Sequence, residues 1–238
     1  MLDYTNVRDR AILQRIIGAQ GGGETTSCSG AGQTFNGTDQ YAYVADNGVL
    51  DINKASTDFC VCGFAKANAS GVNEQYFGKL VNNSAVGRYG FYASSDNVVN
   101  LVLQSSGGTV LVSAGIDGDT DTDFHHFLLR VDITNSKIYI YTDGVLKNAG
   151  GTAYTGTFAT LSNSYKFYLG CCNNKSPIGD PTWLADTQIK DVRVYHKDVT
   201  SKLTQLQAGQ GLGGEVAWWC LPTLTDLAGS YDLTGVNL

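Results

Sequence analysis

Nine short segments in which apolar and polar residues alternate restrict the fold of this chain more than any other feature. Such alternation is typical of strands that bury one face, because successive side chains point to opposite sides of a sheet. The segments predict strands at residues 40–44, 59–64, 87–93, 98–104, 109–113, 124–133, 137–142, 165–170 and 189–195. The 29 Gly, against 3 Pro, suit tight turns between such strands. The pattern therefore predicts an all-β domain.

The strongest turn signal is Thr-Asp-Gly-Val at residues 142–145. Asp143 and Gly144 suit a two-residue hairpin, because that tight turn needs positive φ at both central residues. After the last predicted strand, KDVTSKLTQLQ at residues 197–207 predicts a short helix that closes one end of the domain.

Three longer segments occur in the order typical of one known family. They are FNGTDQYAYVADNGVL (35–50), DTDFHHFLLRVDITNSKIYIYTDGVL (121–146) and IKDVRVYHKDVTSKLTQL (189–206). They resemble the laminin G-like, concanavalin A-like family, also called pentraxin-like. The resemblance covers roughly residues 34–206 and implies an antiparallel jelly-roll β-sandwich. It also implies that one of His125 and His126 faces inward and hydrogen-bonds the backbone, while the other lies at the surface.

The last segment, EVAWWCLPTLTDLAGSYDLTGVNL (215–238), is similar to a strand and turn that precede the opening strand in that family. We therefore expect a circularly permuted C-terminal strand. It pairs either within its own sandwich, which we favour because sandwich termini often lie close together, or with a neighbouring subunit.

Four parts follow along the chain: a helical arm (1–18), a Gly- and Ser-rich linker (19–34), the sandwich (35–208) and the C-terminal segment (209–238). The arm has apolar residues on two sides, which favours a helix between two surfaces as much as a helix that caps its own domain. Its candidate partner-binding residues are Tyr4, Val7, Ile12, Leu13, Ile16 and Ile17. Binding of other proteins through the arm and formation of a homo-oligomer are both expectations of this organisation.

Composition restricts the partners and the cellular compartment. A net charge of −6 argues against a nucleic-acid surface, and no apolar run approaches the length of a membrane span. The first residues do not resemble a secretory signal, so we expect synthesis and folding in a cytosol. The six cysteines are Cys28, Cys60, Cys62, Cys171, Cys172 and Cys220. Their spacing favours free, mostly buried thiols, with a disulfide and a metal site as alternatives.

The candidate metal site is the acidic stretch DGDTDTD. Asp117, Asp119, Asp121 and Asp123 recur at every second residue, and calcium prefers several oxygen ligands of this kind. The alternative is a solvated acidic turn that enters the next strand. No other cofactor is indicated.

No catalytic constellation is evident, so the chain is expected not to be an enzyme. Glycoside hydrolysis needs two carboxylates that flank the scissile bond. The chain has only three Glu (Glu24, Glu74 and Glu215), and they are far apart in the sequence. A Gly-x-Ser-x-Gly nucleophile turn is also missing.

Candidate glycan-binding residues are amides, aromatics and a cation in two predicted loops. Sugars stack on aromatic rings and hydrogen-bond to polar groups, which makes such residues suitable. They are Asn82, Asn83, Arg88 and Tyr89 in one loop, and Asn173, Asn174 and Trp183 in the other.

Two functional hypotheses follow. In the first, the resemblance together with the arm and linker implies a structural or accessory protein of a virus particle. The particle would be that of a bacteriophage, and the protein a capsid decoration, head fibre or tail-associated module that displays a lectin-like sandwich. In the alternative, the chain is a stand-alone carbohydrate-binding lectin module that can depend on calcium. Attachment through the arm distinguishes the two.

Overall fold

The computed structural model describes residues 27–66, 73–81, 86–96, 98–117, 123–159, 165–172 and 181–238. The predicted N-terminal helix and residues 19–26 of the predicted linker lie outside these ranges, as do all six candidate partner-binding residues of the arm.

Two antiparallel sheets pack face to face. The eight-stranded sheet contains β1 (Gln33–Asn36), β3 (Asp58–Lys66), β8 (Phe124–Asp132), β9 (Lys137–Thr142), β10 (Val145–Leu146), β11 (Thr152–Ala153), β13 (Asp186–Tyr195) and β14 (Glu215–Trp219). The seven-stranded sheet has the order β15 (Thr234–Val236), β2 (Tyr41–Val44), β12 (Phe167–Leu169), β4 (Glu74–Lys79), β5 (Tyr89–Ala93), β6 (Val98–Ser105), β7 (Gly108–Asp117). The chain is therefore an all-β jelly-roll sandwich, as predicted.

The core forms between the sheets from the inward side chains of alternating strands. On β9, Ile138 and Ile140 are buried while the neighbouring Tyr139 is only partly buried. Phe91 of one sheet meets Phe127 of the other at a ring-centroid distance of 5.4 Å. The alternation read from the sequence is thus the side-chain pattern of a half-buried strand.

Strand β4 was not predicted, because all six of its residues are buried and the pattern does not alternate. Its Lys79 is buried, and its ammonium lies 2.7 Å from Asp46 Oδ1 and 2.7 Å from Asp51 Oδ1. A lysine in a sequence is expected at the surface, because lysines are rarely buried without a charged partner.

The predicted hairpin and the predicted closing helix are both present. Asp143 and Gly144 have φ of 51° and 79°, and Thr142 pairs with Val145. A 3₁₀ turn (Thr200–Lys202) leads into α1 (Leu203–Gln207), which covers part of the outer face of the eight-stranded sheet.

In the structure, the C-terminal segment pairs within its own sandwich. β14 adds to β13 through Val192 and Trp219, and β15 adds to β2 through Gly235 and Ala42. Trp219 is fully buried in the core, so the segment completes both sheets.

One cysteine pair corrects the expectation of free thiols: Cys28 and Cys220 form a disulfide that joins residues 192 positions apart. The other four cysteines, Cys60, Cys62, Cys171 and Cys172, are free and buried, as expected. Spacing in the sequence could not identify the bonded pair, because the topology alone brings β14 beside the segment that precedes β1.

Candidate functional site

The outer face of the seven-stranded sheet carries five aromatic side chains. Ala42, Val44 and Phe167 point into the core, so their neighbours in the strands point outward. We call the outward set, with the tryptophan that joins it, the aromatic face: Tyr41, Tyr43, Tyr92, Tyr168 and Trp183. A cluster of rings on one face of a sheet is a typical surface for ligand contact.

Three tyrosines form one group at the end of this face. The rings of Tyr41 and Tyr43 each lie 5.8 Å from the ring of Tyr168, in edge-on arrangements. The Lys166 ammonium lies 3.7 Å from the centre of the Tyr43 ring. The Lys166 cation covers one face of the Tyr43 ring. That face is therefore not free for stacking by a ligand.

Tyr92 and Trp183 form the second group. Their rings are stacked with centroids 5.8 Å apart and planes inclined at 26°, and both side chains are partly exposed. Trp183 lies on the segment that leads into β13, and its carbonyl accepts a hydrogen bond from the backbone of Gln75 on β4. Paired backbone hydrogen bonds between Cys172 and Thr182 hold that segment against the sheet.

The backbone of Trp183 has a φ of 53°, a conformation that residues other than glycine rarely adopt. Such a residue persists only where its surroundings hold it, and positions of this kind concentrate at functional sites. Here the conformation places the indole over Tyr92.

Two polar side chains with unused hydrogen-bonding capacity accompany the ring pair. Gln75 pairs in register with Tyr92, and its buried Oε1 has no hydrogen-bond partner. Arg88 donates from Nη1 to the Val81 carbonyl at 2.8 Å, while its buried Nε has no partner. Burial raises the pKa of Tyr92, and the nearby Arg88 guanidinium opposes that shift.

A small apolar cluster joins the two aromatic groups. Leu80, Val102 and Cys172 are buried on this side of the sheet, and Tyr92 and Trp183 pack against them. Cys172 also lies close enough to Tyr168 to contribute to the raised pKa of that phenol, of which burial is the main cause. The two aromatic groups therefore lie on the same face of the sheet.

The predicted glycan-binding residues do not all lie in one place in the structure. Arg88 and Trp183, from separate predicted loops, meet at Tyr92. Asn82, Asn83, Asn173 and Asn174 lie outside the described residues. Tyr89 was wrongly chosen: it is fully buried, and its hydroxyl donates to the Leu50 carbonyl at 2.6 Å. Tyr89 follows Arg88 on β5, so its side chain points to the opposite face, into the core.

Ligand-binding aromatics were expected in loops, so four tyrosines on strands were not predicted: Tyr41, Tyr43, Tyr92 and Tyr168. A signal was available: Tyr41 and Tyr43 stand two residues apart and flank the core-facing Ala42. Aromatics at the polar positions of an alternating strand lie on its outward face.

The acidic stretch is only partly described. Asp117 ends β7, and the exposed Asp123 precedes β8, whereas Asp119 and Asp121 lie outside the described residues. In the ranges that the structure covers, no three His, Cys, Asp or Glu side chains come together as a metal site.

The histidine pair differs in part from expectation. His126 is buried and His125 lies near the surface, as expected. The Asp143 carboxylate bonds the His125 ring (2.6 Å) and accepts from the His126 backbone N–H (2.9 Å). His126, however, is buried on the outer face of its sheet against Phe64, whereas His125 shares the core-facing side of β8 with Phe127. Nδ1 of His126 has no hydrogen-bond partner among the described residues, so the predicted bond of a buried imidazole to the backbone is not made at that atom.

The two Glu residues in the described ranges bond to their own chain. Glu74 is buried and accepts from the Asp186 backbone N–H, and Glu215 accepts from the Tyr195 hydroxyl and the Leu212 backbone N–H.

A cleft of about 180 Å³ lies on the other sheet, beside the disulfide and α1. There the Lys190 ammonium lies 4.2 Å from the centre of the Phe124 ring. No helix in the described part of the chain is long and apolar enough to span a bilayer.

The family model described as the concanavalin A-like lectin/glucanases superfamily matches residues 36–202. A search of the curated proteins found no match.

Several solved structures share the fold. A Bacteroides ovatus protein described as carbohydrate-binding is 12% identical, with a TM-score of 0.59, over 86% of this chain and 60% of its own. A Ruminococcus gnavus sialidase CBM40 module bound to α2,3-sialyllactose is 11% identical, with a TM-score of 0.53, over 77% of this chain and 100% of its own. NanB sialidase from Streptococcus pneumoniae is 18% identical, with a TM-score of 0.51, over 71% of this chain but 26% of its own. At these identities the likeness concerns the fold.

Proposed function

Because this chain belongs to the concanavalin A-like lectin/glucanases superfamily, we propose that it is a non-enzymatic carbohydrate-binding protein. The observation that carries the proposal is the stacked pair of Tyr92 and Trp183 beside Arg88. A pyranose ring has an apolar face that packs on an aromatic ring, and hydroxyls that need donors and acceptors. The half-buried Arg88 guanidinium near Tyr92 is a donor for such hydroxyls.

The solved relatives support the proposal at the level of fold. A carbohydrate-binding module is matched over its whole length, whereas the sialidase is matched over about a quarter of its chain. The function of a fold is carried by its site, so the proposal depends on the aromatic face rather than on the relatives.

The test is glycan binding by single-residue variants. We expect Trp183→Ala to weaken binding of the preferred oligosaccharide by about tenfold or more, because a central aromatic contributes a large share of such a contact. Trp183→Phe keeps a ring and retains part of the affinity. Screening starts with α2,3-sialyllactose and lactose, and isothermal calorimetry measures the affinity.

Leu227→Ala is the matched control, since it shortens an exposed apolar side chain beside Trp218, away from the aromatic face. Equal binding by wild type, Trp183→Ala and Leu227→Ala would contradict the assignment of the site. Absence of binding to any glycan in a broad screen would contradict the function itself.

We propose, in addition, that the sandwich is displayed on a virus particle through its N-terminal arm. This proposal comes from the sequence, which predicts a helix with two apolar sides and a Gly- and Ser-rich linker before the domain. One described feature supports it. Ser27 pairs with Gln210 and Cys28 is bonded to Cys220, so the start of the described chain is fixed on the domain.

Removal of residues 1–22 tests the role of the arm. If the arm attaches the protein, the shortened chain stays folded and binds glycan but no longer associates with particles in co-sedimentation. A lectin that does not use the arm for attachment behaves identically with and without it. Calcium dependence is a separate proposal, which predicts loss of glycan binding in a chelator and in the Asp119→Asn/Asp121→Asn variant.

A further inference from the structure

Strand β7 is the longest edge strand among the described elements. It has ten residues and closes the seven-stranded sheet, and no strand in the described ranges pairs with its outer side. The strands at the other sheet edges are short: β15 has three residues, β1 four, β14 five, and β10 and β11 two each. Short edge strands are one way in which proteins prevent strands of different molecules from pairing.

Two further protections, charged side chains and prolines, are also missing from most of β7. Between Gly108 and Ile116 the strand contains no charged residue and no proline. Charges and prolines on an edge are the usual means of blocking the addition of another strand. The edge therefore presents a row of backbone donors and acceptors to its surroundings.

Both ends of this edge are occupied. The backbone N–H of Ser106, before the strand, donates to the Thr157 carbonyl. Near the other end, the Thr142 hydroxyl donates to the Ala114 carbonyl, and Gly115 bends the strand with a φ of 73°. The accessible part of the edge is therefore Thr109 to Ser113.

Apolar side chains line this part. Leu111 is 57% exposed on the outer face of the sheet, where it pairs in register with Val102. Val110 and Val112 point to the core but are only partly buried, so the core is partly open along this edge. A strand added here buries apolar surface as well as completing hydrogen bonds.

We propose that two copies of this chain associate through antiparallel pairing of their β7 strands, which joins the two seven-stranded sheets into one. The geometry favours a second copy as the occupant. In a two-fold antiparallel pair each residue faces its own counterpart or a near neighbour, so a charged strand would place like charges opposite each other. The uncharged Thr109–Ser113 avoids that repulsion in a chain with a net charge of −6.

The arrangement has a consequence for the proposed glycan site. The two-fold axis of such a pair is perpendicular to the sheet, so both aromatic faces point to the same side. Two weak sites on one side bind a surface that carries many copies of a glycan far more tightly than one site does. The dimer itself does not depend on the proposed function.

Solution mass by analytical ultracentrifugation tests the proposal on the full-length chain. We expect a dimer, and Leu111→Lys should raise its dissociation constant by about tenfold or more, because it places lysines at the centre of the pairing. Ser113→Lys is a second variant on the same edge with the same expected effect. Val145→Lys is the matched control: Val145 is 58% exposed on β10 of the other sheet, and its replacement should leave the mass unchanged.

A monomeric full-length chain would overturn the proposal, as would an oligomer that keeps its mass in both edge variants. The second result would place the contact elsewhere, for example in the arm. Near-ultraviolet circular dichroism confirms that each variant is folded. Because glycan binding is not measured, this experiment can fail without affecting the proposed function, and the reverse also holds.

Discussion

Among single residues, His126 is the one whose charge the fold controls most directly. Its side chain is 2% exposed and packs against the ring of Phe64 at a centroid distance of 4.8 Å. Burial, the main cause, and the Arg193 guanidinium together lower the pKa of this imidazole to about 4, against the opposing effect of Asp143. His126 is therefore neutral in the folded chain at pH values where the unfolded chain already protonates it.

We predict that acid destabilises the protein through His126. Its folded-state pKa lies below the unfolded value of about 6.5, so its contribution to stability is complete above pH 6.5 and is lost as the pH falls toward 4. The loss over this window is about 3 kcal/mol. Urea unfolding between pH 7 and pH 4 measures it, and His126→Phe should remove this part of the pH dependence. An unchanged pH profile in His126→Phe would refute the prediction, and the surface variant His125→Gln should keep the His126 component.

Among the elements, the two-residue turn after β9 depends both on its backbone conformation and on the hydrogen bonds of one side chain. Asp143 adopts a positive φ, and its carboxylate bonds both the His125 ring and the His126 backbone N–H. Its own backbone N–H donates to the His126 carbonyl at 2.9 Å. The turn therefore fixes β8 as well as the hairpin, which the Asp-Gly pair alone did not indicate.

For this turn we expect Asp143→Ala to lower the free energy of unfolding by about 1–3 kcal/mol, through the lost hydrogen bonds and the strain of alanine at positive φ. Asp143→Asn is the matched variant, because asparagine tolerates positive φ and its side-chain oxygen can still accept a hydrogen bond. It should lose less than half as much stability. Thermal unfolding measures both, and equal losses would show that the negative charge matters rather than the geometry.

Over the whole molecule, the two ends of the chain are held together. The Cys28–Cys220 disulfide and the pairing of Ser27 with Gln210 join the start of the described chain to its C-terminal part. β14 and β15 then add to different sheets. The C-terminal segment is therefore an integral part of the sandwich and not an appendage.

Reduction of the disulfide is predicted to cost up to about 5 kcal/mol of unfolding free energy, because the bond closes a very long loop in the unfolded chain. Urea unfolding with and without a reductant measures the loss. The Cys28→Ala/Cys220→Ala variant should match the reduced protein and show no further response to reductant, since the remaining four thiols are free in the folded protein. A response of the variant to reductant would place another disulfide in the molecule.

The sequence by itself determined the fold class, most strands of the sandwich, the Asp143–Gly144 hairpin and the short closing helix. These features depend on local periodicity and on turn chemistry, which a few neighbouring residues encode. β4 escaped prediction because its outer side is covered too, so burial on both faces removed the alternation.

Only the tertiary structure decided which distant residues meet. The order of strands brings Tyr43 beside Tyr168, Trp183 beside Tyr92, and Cys28 to Cys220, pairs separated by 91 to 192 positions. It also turned Tyr89 into the core while its neighbour Arg88 joined the aromatic face. Alternation along a strand indicates that two neighbouring side chains lie on opposite faces of the sheet. Which face is covered, and by what, depends on the long-range packing of the two sheets.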